Sequence, residues 1–152
     1  VARAGIGLGS NLGDPVANVR AAIAALAGIG TVVASSKLYR TKPWGRVDQP
    51  DFCNAAAIVE TTLAPHELLR QLKKLEQRLG RTESERWGPR AIDFDILFYD
   101  DVQLDEPGLQ IPHPRLRERA FALVPLAEID ARYVADAANL SPAERASVEA
   151  NP

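Results

Sequence analysis

The sequence has 152 residues, 46% of them hydrophobic, with a formal net charge of −2; that length fits one domain with a real core and leaves little room for a second. The slightly acidic balance argues against an overall basic nucleic-acid binder, and the absence of a secretory segment or a bilayer-length apolar run points away from membranes. Cys53 is the one cysteine, which excludes an internal disulfide and a cysteine-based zinc cage and suits a reducing, cytoplasmic setting.

Residues 2–9 alternate small and apolar side chains and read as a first strand. Asp14-Pro15 supplies a helix N-cap followed by proline at the first helical position, and Val16, Val19, Ile23 and Leu26 recur at helical spacing, so a helix is expected over 15–27, stopped by Gly28 and Gly30. Residues 31–39 are rich in β-branched side chains and read as one strand. Residues 42–50 hold two prolines and a glycine without a usable period and read as a loop; 52–61 reads as a third strand, antiparallel to the second.

Pro65 opens a second helix whose buried stripe is Leu68, Leu72, Leu75 and Leu79, with Gly80 where a C′ glycine belongs. A polar loop follows over 81–89. Residues 92–99 form the most apolar strand, 100–114 are irregular with room for a short strand pair, and 115–129 read as partly helical, interrupted by Pro125. These elements place one domain over 1–134. The tail, 135–152, reads as one weak helix after Ser141-Pro142, or as disordered. The order β-α-β-β-α-β is the split pattern of an α+β, ferredoxin-like domain, with helices packed on an antiparallel sheet and long loops around its site. That architecture hosts many activities.

The chemistry concentrates in Arg90-Ala91-Ile92-Asp93-Phe94-Asp95-Ile96-Leu97-Phe98. On a strand, residues two apart share a face, so Asp93 and Asp95 project together while Ile92, Phe94, Ile96 and Phe98 point into apolar packing. Paired carboxylates without histidine or cysteine suit Mg²⁺, which takes one or two such ligands together with nucleotide phosphates. Two basic segments flank them: Lys73, Lys74, Arg78, Arg81, Arg86 and Arg90 before, and Arg115, Arg117 and Arg119 after. Guanidinium groups fork onto phosphate oxygens and neutralise charge that builds during transfer. Trp87, in the polar loop, either covers a bound nucleotide or packs back on the domain. Phe52 and Asn54 share a strand face, where a ring and an amide can stack on and pair with a flat heterocycle or serve the core. Glu76 sits at the edge of the leucine stripe, either paired with an arginine or placed behind the metal site. His113, between Pro112 and Pro114, is either structural or a phosphate donor. Gly9-Ser10-Asn11-Leu12-Gly13-Asp14 lacks the ending of a P-loop and reads as a tight strand-to-helix turn.

Taken in order, these segments, together with Tyr39-Arg40-Thr41, Gln49 through Ala56, Gly80-Arg81, Pro112-His113-Pro114 and Arg119-x-Phe121, resemble the 6-hydroxymethyl-7,8-dihydropterin pyrophosphokinases of folate biosynthesis over roughly residues 4–130. The resemblance implies transfer of pyrophosphate from ATP to 6-hydroxymethyl-7,8-dihydropterin by a monomeric enzyme, with two Mg²⁺ ions held by Asp93 and Asp95, and Arg81 and Arg90 assisting catalysis. It places ATP against Lys73, Glu76, Trp87, Arg90, Ile96, His113 and Arg119, and the pterin against Thr41, Pro43, Trp44, Phe52, Asn54 and Phe121. It also implies mobile lids around Arg46 and Glu83. The sequence departs from the family at Phe52, where a tyrosine is common, at Trp44, where a smaller residue is frequent, and at Thr82-Glu83 and Gly108, where relatives carry arginine. Other two-metal nucleotidyl transferases on such a sheet, and a non-catalytic ligand-binding module, are the competing expectations.

Overall fold

A computed structural model describes residues 1–42, 50–80 and 91–150. The elements run β1 (Ala2–Ser10), α1 (Pro15–Ala25), β2 (Thr31–Ser35), β3 (Tyr39–Thr41), β4 (Phe52–Thr61), α2 (Pro65–Arg78), β5 (Asp93–Tyr99), β6 (Leu104–Glu106), β7 (Leu109–Ile111), α3 (Ala120–Ile129), α4 (Val134–Ala138), α5 (Pro142–Ala146) and β8 (Val148–Ala150). Among the described residues one six-stranded sheet has the order β5-β1-β4-β3-β8, with β2 also paired to β4, and β6-β7 form a separate hairpin. All its pairings are antiparallel. This is the expected α+β architecture, and the order β5-β1-β4-β2 is compatible with a ferredoxin-like core. No helix among the described residues is long and apolar enough to cross a membrane.

The period-two pattern of β1 separates two cores. Ala4, Ile6 and Leu8 face α1 and α2, where Val19, Ala22, Leu68, Leu72 and Leu75 are buried; each fully buried leucine contributes about 1.5–3 kcal/mol. Asp14 caps α1 by accepting from Ala17 N–H at 3.2 Å, and Gly80 ends α2 with φ +97°, a conformation that favours glycine. The opposite face packs against α3 through Ala56, Ile58, Leu97, Leu123 and Leu126.

Three expectations are corrected. Residues 31–39 form two strands, because Ser36 breaks the ladder: its N–H bonds Ala56 O at 2.8 Å while its hydroxyl takes the Ala56 N–H at 2.9 Å. Phe98 does not share the face of Phe94 and Ile96. The β1–β5 register slips between Gly5 and Ile6, which turns Phe98 to the α3 side. There it stacks on Tyr133 at 5.9 Å between ring centres, and it lies where any Cβ on Gly5 would come within 2.3 Å of its ring. Pro125 does not interrupt α3. It removes one backbone donor, and the helix runs on through it because Leu123 and Leu126 are fully buried on either side.

The segment beyond 134 holds two short helices and a strand. Ser141 caps α5 by accepting from Glu144 N–H, and β8 pairs with β3 in the register Tyr39↔Ala150, Thr41↔Val148. Glu128, near the C-terminal end of α3, accepts from Tyr39 O–H at 2.5 Å and Lys37 N–H at 2.9 Å, tying that end of the helix to β3. Burial and the neighbouring Glu128 carboxylate both push the Tyr39 phenol above its ordinary range.

Candidate active site

The site grows from three adjacent strands. Gly9 of β1 lies opposite Asn54 on β4 and Asp93 on β5; two residues earlier, Gly7 lies opposite Ala56 and Asp95. Strand neighbours are spaced about 4.8 Å apart, so Asp93 and Asn54 stand roughly 10 Å from one another across a glycine stretch of β1 that contributes no side chain here. The glycines therefore form the floor of a slot, with carboxylates along one side and an amide along the other.

A cavity of about 500 Å³ opens on this floor, within the range of small-molecule sites. Thr41, Phe52 and Asn54 line one wall; Asp93, Asp95, His113, Arg119 and Phe121 line the rest. The Asn54 amide is held rigidly. Its oxygen accepts from Thr41 O–H at 2.5 Å and its nitrogen donates to Leu8 O at 3.3 Å, which leaves one N–H and one lone pair for a ligand. A Cβ on Gly9 would sit 2.6 Å from that nitrogen, closer than non-bonded atoms tolerate. Gly9→Ala is therefore expected to break the Asn54 bonds and lower affinity for a ring ligand about tenfold, readable by ligand titration of the folded variant.

A second cavity, about 560 Å³, is lined by Lys73, Asp95, Ile96 and His113 together with the β6–β7 turn at Pro107-Gly108. Asp95 and His113 line both cavities, so the two spaces meet at these residues. Glu76 lines neither. It is 1% exposed and accepts from Phe94 N–H at 2.8 Å, between the two aspartates but from the outer edge of β5, with the Lys73 ammonium at 3.5 Å. The Phe94 contact sets this carboxylate beside the backbone of the strand that carries the aspartate pair. Since β5 ends the sheet among the described residues, Glu76 supplies the acceptor that a further strand would otherwise provide.

His113 Nδ1 accepts from Arg115 N–H at 3.3 Å, which puts the proton of the neutral ring on Nε2. Burial first, and the Arg115 charge second, hold its pKa below the ordinary histidine value. With a depressed folded pKa, the unfolded chain takes up this proton first as pH falls. Stability from this residue is thus complete above the ordinary value near 6.5 and is lost as pH drops through the folded pKa. His113→Gln is expected to flatten this part of the acid limb of stability, as measured by urea unfolding at stepped pH.

Among the described residues no group of three or more histidine, cysteine or acidic side chains gathers. Two carboxylates alone suit a hard cation whose remaining ligands come from phosphate and water. Pro43, Trp44, Arg46, Arg81, Glu83, Trp87 and Arg90 lie outside the described residues. Sequence reasoning missed the Gly7–Gly9 floor, although glycine at 5, 7 and 9 repeats at strand period. It also missed the part of the β6–β7 turn in the second cavity.

Fold and site together define an α+β domain with two adjoining small-ligand cavities that share a carboxylate, an arrangement suited to joining two substrates. The model of the 7,8-dihydro-6-hydroxymethylpterin-pyrophosphokinase family matches residues 5–131, and the chain belongs to that family. It is 52% identical over 130 residues to the 2-amino-4-hydroxy-6-hydroxymethyldihydropteridine pyrophosphokinase of Methylorubrum extorquens, covering 84% of this chain and 82% of that one. The enzyme of the same description from Bacillus subtilis is 46% identical over 127 residues, covering 82% and 75%. The structure is similar to that of Plasmodium falciparum HPPK-DHPS, with a TM-score of 0.66 at 17% identity, over 84% of this chain and 38% of that one, a likeness of fold. The chain thus spans about two fifths of that larger protein.

Proposed function

We propose that this protein transfers a pyrophosphoryl group from ATP to the hydroxymethyl arm of 6-hydroxymethyl-7,8-dihydropterin in folate biosynthesis. The observation that carries the reading is that Asp95 lines both cavities, so a donor in one and an acceptor in the other meet beside a carboxylate. In the first cavity the pterin ring lies on the glycine floor between Phe52 and Phe121, with its edge against Asn54 and Thr41. In the second, ATP extends along Lys73, Ile96 and His113 toward Asp95, with Arg119 facing its phosphates from the first. Arg81, Trp87 and Arg90 complete the nucleotide side by family resemblance, as Pro43 and Trp44 complete the pterin side.

Asp93 and Asp95 would hold Mg²⁺, two ions in the family's manner, which when bound offsets phosphate charge and makes the alcohol a better nucleophile. The alcohol oxygen forms a bond to the β-phosphorus, the bond between that phosphorus and the α,β-bridging oxygen breaks, AMP leaves, and the hydroxyl proton passes to Asp95 or to water. Most of the acceleration comes from alignment of the two substrates.

Incubation with ATP, Mg²⁺ and the reduced pterin alcohol, followed by ion-exchange separation, is expected to give AMP and pterin diphosphate in equal amounts. Release of pyrophosphate would assign a nucleotidyl transferase instead. Binding without turnover would assign a ligand-binding module.

A further inference from the structure

The two walls of the ring slot belong to separate elements, β3–β4 on one side and the start of α3 on the other, and the C-terminal segment touches both. On the first side, β8 pairs with β3 at Thr41↔Val148, and Lys42 N–H donates to Ser147 O at 3.1 Å. On the second, Glu144 of α5 reaches the N-terminus of α3. Its Oε1 accepts from Ala120 N–H at 3.0 Å, and its Oε2 lies 3.6 Å from Arg119 Nη1. Arg119 is the N-cap residue of α3 and makes no side-chain cap bond, so the carboxylate from α5 supplies the cap and places negative charge at the positive end of the helix. Phe121, the next residue after Ala120, lines the slot.

From this we infer that Glu144 is a positioning residue for the pterin: through the Ala120 cap it holds the start of α3, and hence Phe121, at a set distance from the wall that carries Phe52, Thr41 and Asn54. The inference rests on the ring slot being the pterin site. Its physical basis is that the segment from Ser141 to Ala150 forms a strut. Ser141 accepts from Glu144 N–H at 3.1 Å and fixes the turn that carries the carboxylate, while Ser147 and Val148 fix the other end on β3. The far end of α3 has its own direct tie to β3 through Glu128, so the strut governs the end that faces the ligand.

Three substitutions in the full chain separate this role from general stability. Glu144→Ala removes the cap and is expected to raise the dissociation constant and KM for 6-hydroxymethyl-7,8-dihydropterin about fivefold, with kcat within about twofold of the parent. Glu144→Gln keeps an oxygen that can accept from Ala120 N–H, and pterin affinity is expected to stay within about twofold. Ser141→Ala leaves the carboxylate but loosens its turn, and about a threefold rise is expected; it serves as the second test should Glu144→Ala fail to fold. Parent-like pterin affinity in Glu144→Ala, or in Ser141→Ala where that variant serves, overturns the inference. So does equal impairment of Glu144→Gln and Glu144→Ala, or a fall in kcat at constant KM, which is the signature of fewer folded molecules. If the parent protein neither binds nor converts the pterin, the proposed function falls and the inference with it. An active parent alongside a Glu144→Ala of unchanged affinity removes the strut alone.

Discussion

Replacing Asp95 with alanine is expected to lower AMP formation by about a thousandfold or more, while the protein stays folded. The expectation follows from where the carboxylate stands. It shares the α3 face of β5 with Asp93 and borders both cavities, a place no other described carboxylate occupies. Losing one group aimed at developing charge costs about 10²–10³ in rate, and in the proposed reaction this one would also hold the cation. The Asp95 side chain is not part of either apolar core, so its loss leaves the packing intact. Asp95→Asn keeps the shape and removes the charge, and a similar loss is expected. Single-turnover assays with thermal unfolding on the same samples decide the matter; a variant within tenfold of the parent would remove Asp95 from the chemistry.

Glu76→Ala has the largest expected effect on stability, about 2–4 kcal/mol. The buried carboxylate accepts from Phe94 N–H, and alanine leaves that donor without its acceptor in a site nearly closed to water, besides opening a small void. For a chain of this size the loss corresponds to roughly 5–15 °C in Tm. Phe94 stands between Asp93 and Asp95, so the same substitution is expected to slow transfer by letting the strand shift. Glu76→Gln offers an oxygen to the same N–H and is expected to recover most of both. Urea unfolding of the pair provides the measurement, and equal stability of Glu76→Ala and the parent would show that the strand edge does not need this acceptor.

The core of this fold was readable because its signals are periodic. The leucines of α2 at helical spacing and the alternation of Asp93, Phe94, Asp95 and Ile96 each report a face directly. The misreadings fall where a partner strand decides. Phe98 changes face because of a register slip opposite β1, and Ser36 splits a β-branched run through hydrogen bonds to Ala56, twenty residues away. Neither has a local pattern. The strand at Val148–Ala150 went unseen for a related reason: it joins the sheet through its backbone, and its side chains carry little apolar contrast. At the site, the carboxylate pair and the Phe52–Asn54 wall were legible as residue types at strand spacing. The glycine floor was not, because its contribution is an absence of side chain that acquires meaning only between Asn54 and Asp93. Glu76 was legible as an oddity, but its partner is a main-chain N–H eighteen residues further on.

A floor made of main chain also limits how ligand preference can drift. A molecule resting on Gly7 and Gly9 touches peptide atoms, which no point substitution can delete, and a side chain added at Gly9 displaces the Asn54 amide and so weakens inhibitor and metabolite alike. Resistance to a compound seated there would have to arise in the flanking residues, Thr41, Phe52 and Phe121, where a change can discriminate between the two.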